Sequence, residues 1–455
     1  MAKIYFVDTT LRDGNQSLWD GTGLSTSRIL SLASQMDRAG FKACDFIAST
    51  HMGVAVKYHK ENPWERIQLV SKAMPNTPLS FGTTGRRFVG FKRAPDSILN
   101  LVMERMAANG IRRLWIVDAA HEIEIFKKNA RMAKAAGIQE VVAALCYTVS
   151  PIHTDDFYAR MTQEFVSCAD VDTVYLKDQG GLLTPDRIRT LVPAIQANLN
   201  GHPLEIHSHC SIGLAPMVYV EAVQLGIEIV HTAIPPLANG TSQPSVFNVE
   251  KNLNHLGFEN TLNMAVLEDL SRRLKDIAVQ QGRPEGVPAE YDLSYFDHQI
   301  PGGMMTTLKR QLSEAGMAHR LPEVMTEIIE VRRELGYPIM VTPLSQFVGT
   351  QAAMNVMSGK RYKLVSDGII EYVVGYFGKS PAPINPDILD KIHGLKKTKE
   401  MLKKPFPQPS ISEIRKGLNL GAGISDDEFL LRFALTGNEV DVMLAAVGKT
   451  ERLAE

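Results

Sequence analysis

Short runs rich in β-branched and aromatic residues recur along the chain at Ile4–Asp8, Ala43–Ile47, Pro78–Thr83, Arg113–Asp118, Glu140–Cys146, Asp172–Lys177, Leu204–His209 and Glu228–Thr232, with 24 to 39 residues from one start to the next. Between them the apolar positions switch to helical spacing, as in Ser27–Ala39 before Gly40, Asp96–Ala108 before Gly110 and Ile123–Ala136 before Gly137. A glycine at each stop suits the left-handed conformation that ends a helix. Eight strand–helix alternations predict an α/β fold, a (β/α)8 TIM barrel. A solenoid has similar spacing, but these segments share no repeating consensus. The runs begin apolar and several end polar, in Asp8, Asp118, Cys146, Lys177 and the pair His207/His209. Barrel active sites lie at the carboxyl ends of the strands, so these residues are the candidates for chemistry.

After about residue 285 the strand rhythm gives way to helical patterns at Glu323–Leu335, Thr342–Met357, Ser410–Leu418 and Asp426–Thr436. The expected organisation is a barrel domain over residues 1–285 and a mainly helical C-terminal domain over 286–455 that completes the active-site funnel. The Pro-rich segment Ser380–Pro386 and the basic stretch Lys396–Lys404 read as a solvated connection. No run reaches the ~18 uninterrupted apolar residues of a membrane span. A net charge of −1 over 455 residues, without a basic run interleaved with aromatics, argues against a nucleic-acid partner. Four cysteines without CxxC spacing, behind a start Met-Ala-Lys-Ile-Tyr that has no signal-peptide character, point to a reducing cytoplasmic compartment.

Residues i and i+2 of a strand face the same way, so His207 and His209 can grip one ion. With Asp8 they offer one hard oxygen and two borderline nitrogens, a set suited to Zn²⁺, Mn²⁺ or Co²⁺ rather than Mg²⁺ or Ca²⁺. Taken alone, the pair reads more readily as two hydrogen-bonded lumen histidines. Lys177 changes the weighing, because an ammonium of ordinary pKa ~10.4 repels a metal beside it. Three fates are open to it: a carbamate formed with CO2, which is a carboxylate on a long stem; a Schiff base with a carbonyl substrate; or an ion pair with Asp178 or another acid. In the polar segment Asp8–Ser17, Arg12 presents a planar fork for a carboxylate or enolate oxygen, and Gln16 a donor and acceptor for the same ligand. The bland alternative has Arg12 bridging acids at the barrel top.

The segments Asp8–Leu18, Asn62-Pro63-Trp64-Glu65-Arg66, Leu176–Leu183, Glu205–His209, Gly240-Thr241-Ser242-Gln243-Pro244, Pro301-Gly302-Gly303 and Val341-Thr342-Pro343 together resemble the carboxyltransferase of pyruvate carboxylase and the α subunit of oxaloacetate decarboxylase. The resemblance runs over roughly residues 3 to 445, and Tyr147–Thr154 and Pro381–Pro386 are similar to the decarboxylase subunit in particular. It implies metal- and biotin-dependent carboxyl transfer between carboxybiotin and a keto acid. By the same resemblance Asp8, carbamylated Lys177, His207 and His209 match the metal ligands, and Arg12 and Gln16 the groups that hold the keto acid. Thr306 matches a threonine that shuttles a proton between enolate and biotin, Ser49 falls with it on the biotin side, and Cys146 lies near the metal. A homodimer is the common state of the resembling enzymes. The chain carries no Ala-Met-Lys-Met-like biotinylation site and no Gly-rich ATP-binding segment, so a biotin carrier protein and a biotin carboxylase or decarboxylase subunit are expected as separate partners.

Several positions depart from that pattern. Thr84 stands where the third strand should carry a carboxylate-binding arginine, with Arg86 and Arg87 just beyond; Ala48-Ser49 replaces Gly-Gly, and Cys210 and His231 each replace an aspartate. Loss of one charge-assisted contact is worth roughly 1.5–3 kcal/mol, so an altered acceptor is expected, with pyruvate as the default. Other readings are a metal-dependent lyase or Claisen-type synthase of the isopropylmalate synthase or HMG-CoA lyase kind, against which Lys177 speaks; a Schiff-base aldolase; and a non-catalytic scaffold that docks a biotin carrier.

Overall fold

The computed structural model describes residues 2–454 apart from positions 91, 405, 422 and 436, and their side chains apart from 303, 306, 307 and those from 447 onward. Eight parallel strands, β1 (Lys3–Asp8), β2 (Ala43–Ala48), β3 (Leu79–Thr83), β4 (Arg113–Ile116), β5 (Glu140–Cys146), β6 (Thr173–Asp178), β7 (Leu204–Ser208) and β8 (Ile229–Thr232), pair in chain order. The sheet closes on itself because β1 pairs with both β2 and β8, Val7 lying opposite Ala43 on one side and His231 on the other. The predicted TIM barrel is therefore formed.

Local sequence explains the element ends. Ser25, Asn62, Thr154 and Thr184 accept backbone N–H groups at the starts of helices Thr26–Arg38, Pro63–Ala73, Asp155–Val166 and Pro185–Gln196. Two of these helices also place proline in the first turn, where its missing donor is harmless. Helices Asp96–Ala108 and Ile123–Ala136 stop where expected, and Gly110 and Gly137 then take φ of 106° and 99°.

Beyond helix Met264–Gln281 the chain is helical, but its segments pack in two places. Buried residues from Ile300 to Ile392 share one apolar cluster with the lumen residues Trp115, Val142, Ala144, Cys146 and Tyr175, so these helices sit over the barrel mouth. Phe429, Leu430 and Leu431 instead join the core between strands and outer helices. Arg105 Nε donates to Asp427 at 2.7 Å and Trp64 Nε1 to the Asp427 carbonyl at 2.9 Å, which docks helix Asp426–Ala434 on the barrel flank. The Pro-rich segment is irregular, as expected of a connection, but the chain after it forms two short helices, Pro386–His393 and Lys396–Leu402. Asn385 caps the first, and Ile392 and Thr398 turn inward while the lysines stay out. Among the described residues no helix is long and apolar enough to cross a membrane.

The floor of the barrel is polar. Arg113 reaches Glu205 at 2.5 Å and Glu140 at 3.0 Å, Lys42 meets Glu140 at 2.9 Å, and Glu205 pairs with His231 Nε2 at 2.8 Å. Buried charge is retained only when compensated in this way.

Candidate metal centre

β1 runs into a widened π-helical turn, Thr10–Gly14, which carries Asp13 back over the barrel mouth. Register places Lys177 of β6 beside His207 of β7 and beside Cys146 of β5. The result is a tight cluster. Asp13 Oδ2 lies 3.1 Å from His207 Nε2, 3.3 Å from His209 Nε2 and 4.0 Å from Lys177 Nζ. Arg12 Nη2 stands 3.1 Å from the same oxygen.

Chemistry of the donors fits a cation. His209 Nδ1 is 2.6 Å from the Thr241 carbonyl, which can only accept, so Nδ1 carries a proton and Nε2 is the nitrogen turned to Asp13. In the neutral form of that ring Nε2 and the Asp13 carboxylate are both acceptors, an arrangement that calls for positive charge between them. Gln243 Nε2 stands in that position, 3.1 Å from Asp13 Oδ2, 3.2 Å from His207 Nε2 and 3.1 Å from His209 Nε2. An amide has two protons for these three acceptors, whereas one divalent ion serves all of them.

Protonation states agree. Burial, reinforced by Lys177, holds His207 well below the usual imidazole range, so its neutral ring is a ligand form. For Asp13 burial pushes upward, but the Arg12 guanidinium beside it overcomes this and holds the carboxyl well below the ordinary value. Burial is also the main reason that Lys177 titrates below an ordinary lysine, with Arg12 adding to it and Asp13 opposing. The lysine nitrogen is 3.2 Å from the Tyr175 hydroxyl and 3.4 Å from His207 Nε2, and lies over the Trp115 ring at 5.4 Å.

Asp8 does not join the cluster. One carboxylate oxygen accepts from Thr10 Oγ1 at 2.5 Å and the other from Cys44 Sγ at 3.4 Å, and burial lifts its pKa to about 7. The strand-end aspartate is thus turned toward its own loop, and the acid five positions later meets the histidines. Arg12 is not free to swing: Nε at 2.8 Å and Nη2 at 2.5 Å hold Asp45, whose other oxygen accepts from Trp115 Nε1 at 2.9 Å. Gln16 is half-buried in the short helix Asn15–Trp19. Ser49 opens helix Ser49–Val54 with a buried hydroxyl that has no hydrogen-bond partner. The Cys146 thiol is pushed up to about 12 by burial and is not a thiolate at neutral pH. The Thr306 side chain lies outside the described residues. Of the altered positions, Thr84 Oγ1 accepts from Arg87 Nε at 2.9 Å, Arg86 is bound to Asp118 and Glu122, Cys210 is buried, and His231 belongs to the floor network.

Sequence reasoning missed Asp13, Gln243 and Tyr175. Asp13 and Gln243 lay inside segments already singled out, but nothing in their spacing shows that a widened turn and the loop after β8 fold inward onto β7.

Fold and donors define a class first: a TIM-barrel enzyme with an acid, two histidines and a buried lysine at the carboxyl ends of its strands. Residues 3–273 match the HMGL-like family model, and residues 296–443 the conserved carboxylase domain. The chain is 36% identical over 395 residues to a subunit of the pyruvate carboxylase of Methanocaldococcus jannaschii, covering 86% of this chain and 68% of that one. It is 33% identical over 395 residues to the 2-oxoglutarate carboxylase large subunit of Hydrogenobacter thermophilus, covering 86% of this chain and 60% of that one. The carboxyl transferase domain of Rhizobium etli pyruvate carboxylase, solved with pyruvate and biocytin, has the same fold, with a TM-score of 0.86 and 24% identity over 98% of this chain and 78% of that one. The chain belongs to the pyruvate carboxylase-type carboxyltransferases, the transferase subunits of biotin-dependent carboxylases. The carboxylase-domain match over the C-terminal helices favours this reading over the lyase and synthase alternatives.

Proposed function

We propose that this enzyme moves a carboxyl group between carboxybiotin, carried on a separate protein, and a 2-oxo acid, using a divalent metal held by Asp13, His207, His209 and a carbamate on Lys177. The convergence of three acceptors and the lysine at the barrel mouth carries the reading. Bound there, Zn²⁺, Mn²⁺ or Co²⁺ would supply a Lewis acid for negative charge developing on the ketone oxygen. The protein does the rest. Arg12, clamped by Asp45 and stacked 4.9 Å from Trp115, fixes a positive charge beside the forming enolate. Helices after residue 285 cover the mouth and exclude water, so CO2 released from carboxybiotin meets the enolate carbon before it escapes. Proton transfer between that carbon and the biotin nitrogen falls to Thr306, with Ser49 on the biotin side and Gln16 beside the acceptor, as the resemblance implies. Run in reverse, the same site decarboxylates oxaloacetate.

The acceptor is the part most open to change. Pyruvate is the default, yet Thr84 offers a neutral hydroxyl where a guanidinium is expected, and relatives of similar identity are named for pyruvate and for 2-oxoglutarate. Partners on this reading are a biotin carrier, a biotin carboxylase or decarboxylase subunit and a second copy of the chain, all in the cytoplasm. The test is metal analysis of the purified protein together with biotin-dependent oxaloacetate decarboxylation. Near-stoichiometric metal and activity abolished by chelation are expected; full activity in metal-free protein would overturn the proposal.

A further inference from the structure

We propose that Tyr175 is the positioning residue for Lys177: its hydroxyl holds the lysine nitrogen at the acid–dihistidine cluster and so directs carbamate formation there. This rests on the reading above that Lys177 serves as a carbamate. Tyr175 and Lys177 are two apart on β6 and share a face of the strand. The Tyr175 hydroxyl is 3.2 Å from Lys177 Nζ and accepts its hydrogen bond. A lysine stem of four methylenes samples many rotamers, and only some bring its end near His207 and Asp13. Tyr175 supplies a neutral oxygen that selects one of them, with the residue 1% exposed and shielded from competing water.

The hydroxyl is itself fixed. His231 stacks on the Tyr175 ring at 4.7 Å and 17°, while Trp115 and His207 meet it edge-on at 6.4 Å and 5.5 Å. His231 is tied to Glu205 at 2.8 Å, Glu205 to Arg113 at 2.5 Å, and Arg113 to Glu140 at 3.0 Å. A continuous chain of buried contacts thus runs from the barrel floor to the reacting nitrogen. In the step that follows, the lone pair of the neutral amine forms the new C–N bond with carbon dioxide, one C=O pair becomes the carboxylate's, and the amine proton leaves to the buffer.

The test compares wild type, Tyr175→Phe and His231→Phe as purified chains, each checked for folding by thermal melting. Two readouts are taken: the carbamate signal in ¹³C NMR with ¹³C-bicarbonate, and Zn²⁺ affinity by competition with a chelating dye. Tyr175→Phe is expected to lose most of the carbamate signal and to bind Zn²⁺ 10–100-fold more weakly, the usual effect of removing a group that orients a ligand. Saturating bicarbonate should restore part of both, which general loosening of the core would not allow. His231→Phe, which keeps a ring against Tyr175 and leaves the hydroxyl in place, should stay within about threefold of wild type. A full carbamate signal and unchanged Zn²⁺ affinity in Tyr175→Phe would overturn the proposal, as would equal losses in the two variants. Absence of the carbamate from wild type would instead remove the reading on which it rests.

Discussion

Asp13 and Asp8 are both buried acids near the barrel mouth, and exchanging each for asparagine separates their roles. In Asp13→Asn the amide keeps the shape but removes the charge that faces two histidines, Gln243, Lys177 and Arg12 within 3.1–4.0 Å. The pair with Arg12 alone, at 3.1 Å, has a Coulomb energy of about 5 kcal/mol at an effective dielectric of 20. Part of this is recovered because Arg12 keeps Asp45. Loss of a direct carboxylate ligand should then exceed the 10–100-fold effect of disturbing an orienting group, so metal affinity should fall by at least about 100-fold, or roughly 2.7 kcal/mol. Asp8→Asn should leave affinity within about threefold, because Asp8 is committed to Thr10 and Cys44. Metal content by mass spectrometry and competitive Zn²⁺ titration measure both variants. An Asp8→Asn protein that loses its metal while Asp13→Asn keeps it would refute the assignment and return the ligand to the end of β1.

Three further outcomes follow. The Asp8 carboxyl is raised by burial from 3.8 to about 7, so the folded state binds the extra proton and stability should fall as pH rises from about 4 to 7, by up to about 4 kcal/mol; urea unfolding across that range should show the slope in wild type and a shallower one in Asp8→Asn. Arg113→Met leaves Glu205 buried with only His231 and a distant Lys42, and should cost about 3–5 kcal/mol of unfolding free energy with little change in metal affinity; a loss below about 1 kcal/mol would show that water reaches the floor network. Thr84→Arg should lower KM for pyruvate by roughly tenfold or more, since one charge-assisted contact is worth about 1.5–3 kcal/mol; wild-type turnover of pyruvate at ordinary affinity would contradict the altered-acceptor reading.

The barrel was legible because its signals are local. Short β-branched and aromatic runs, glycine stops at Gly110 and Gly137, and polar strand ends each act within a few residues, and the paired histidines at the end of β7 announce themselves by their i, i+2 spacing alone. Asp13 was hidden by the same rule that served elsewhere. Strand-end reasoning favours Asp8, and only the widened turn at Thr10–Gly14 reveals that the next acid swings over the mouth. Gln243 reaches the histidines through a loop closure of 34 and 36 residues, for which no periodicity exists. Lys396–Lys404 misleads in the other direction, because a basic run with inward Thr398 is a surface helix rather than a linker.

The most direct test is a zinc- or manganese-edge anomalous difference map from crystals of the protein purified without chelator and grown with bicarbonate. The account predicts a single strong peak among Asp13 Oδ2, His207 Nε2 and His209 Nε2, with density on Lys177 extended by a carboxylate that reaches it. A peak beside Asp8, or a bare lysine amine with no peak between the imidazoles, would contradict it.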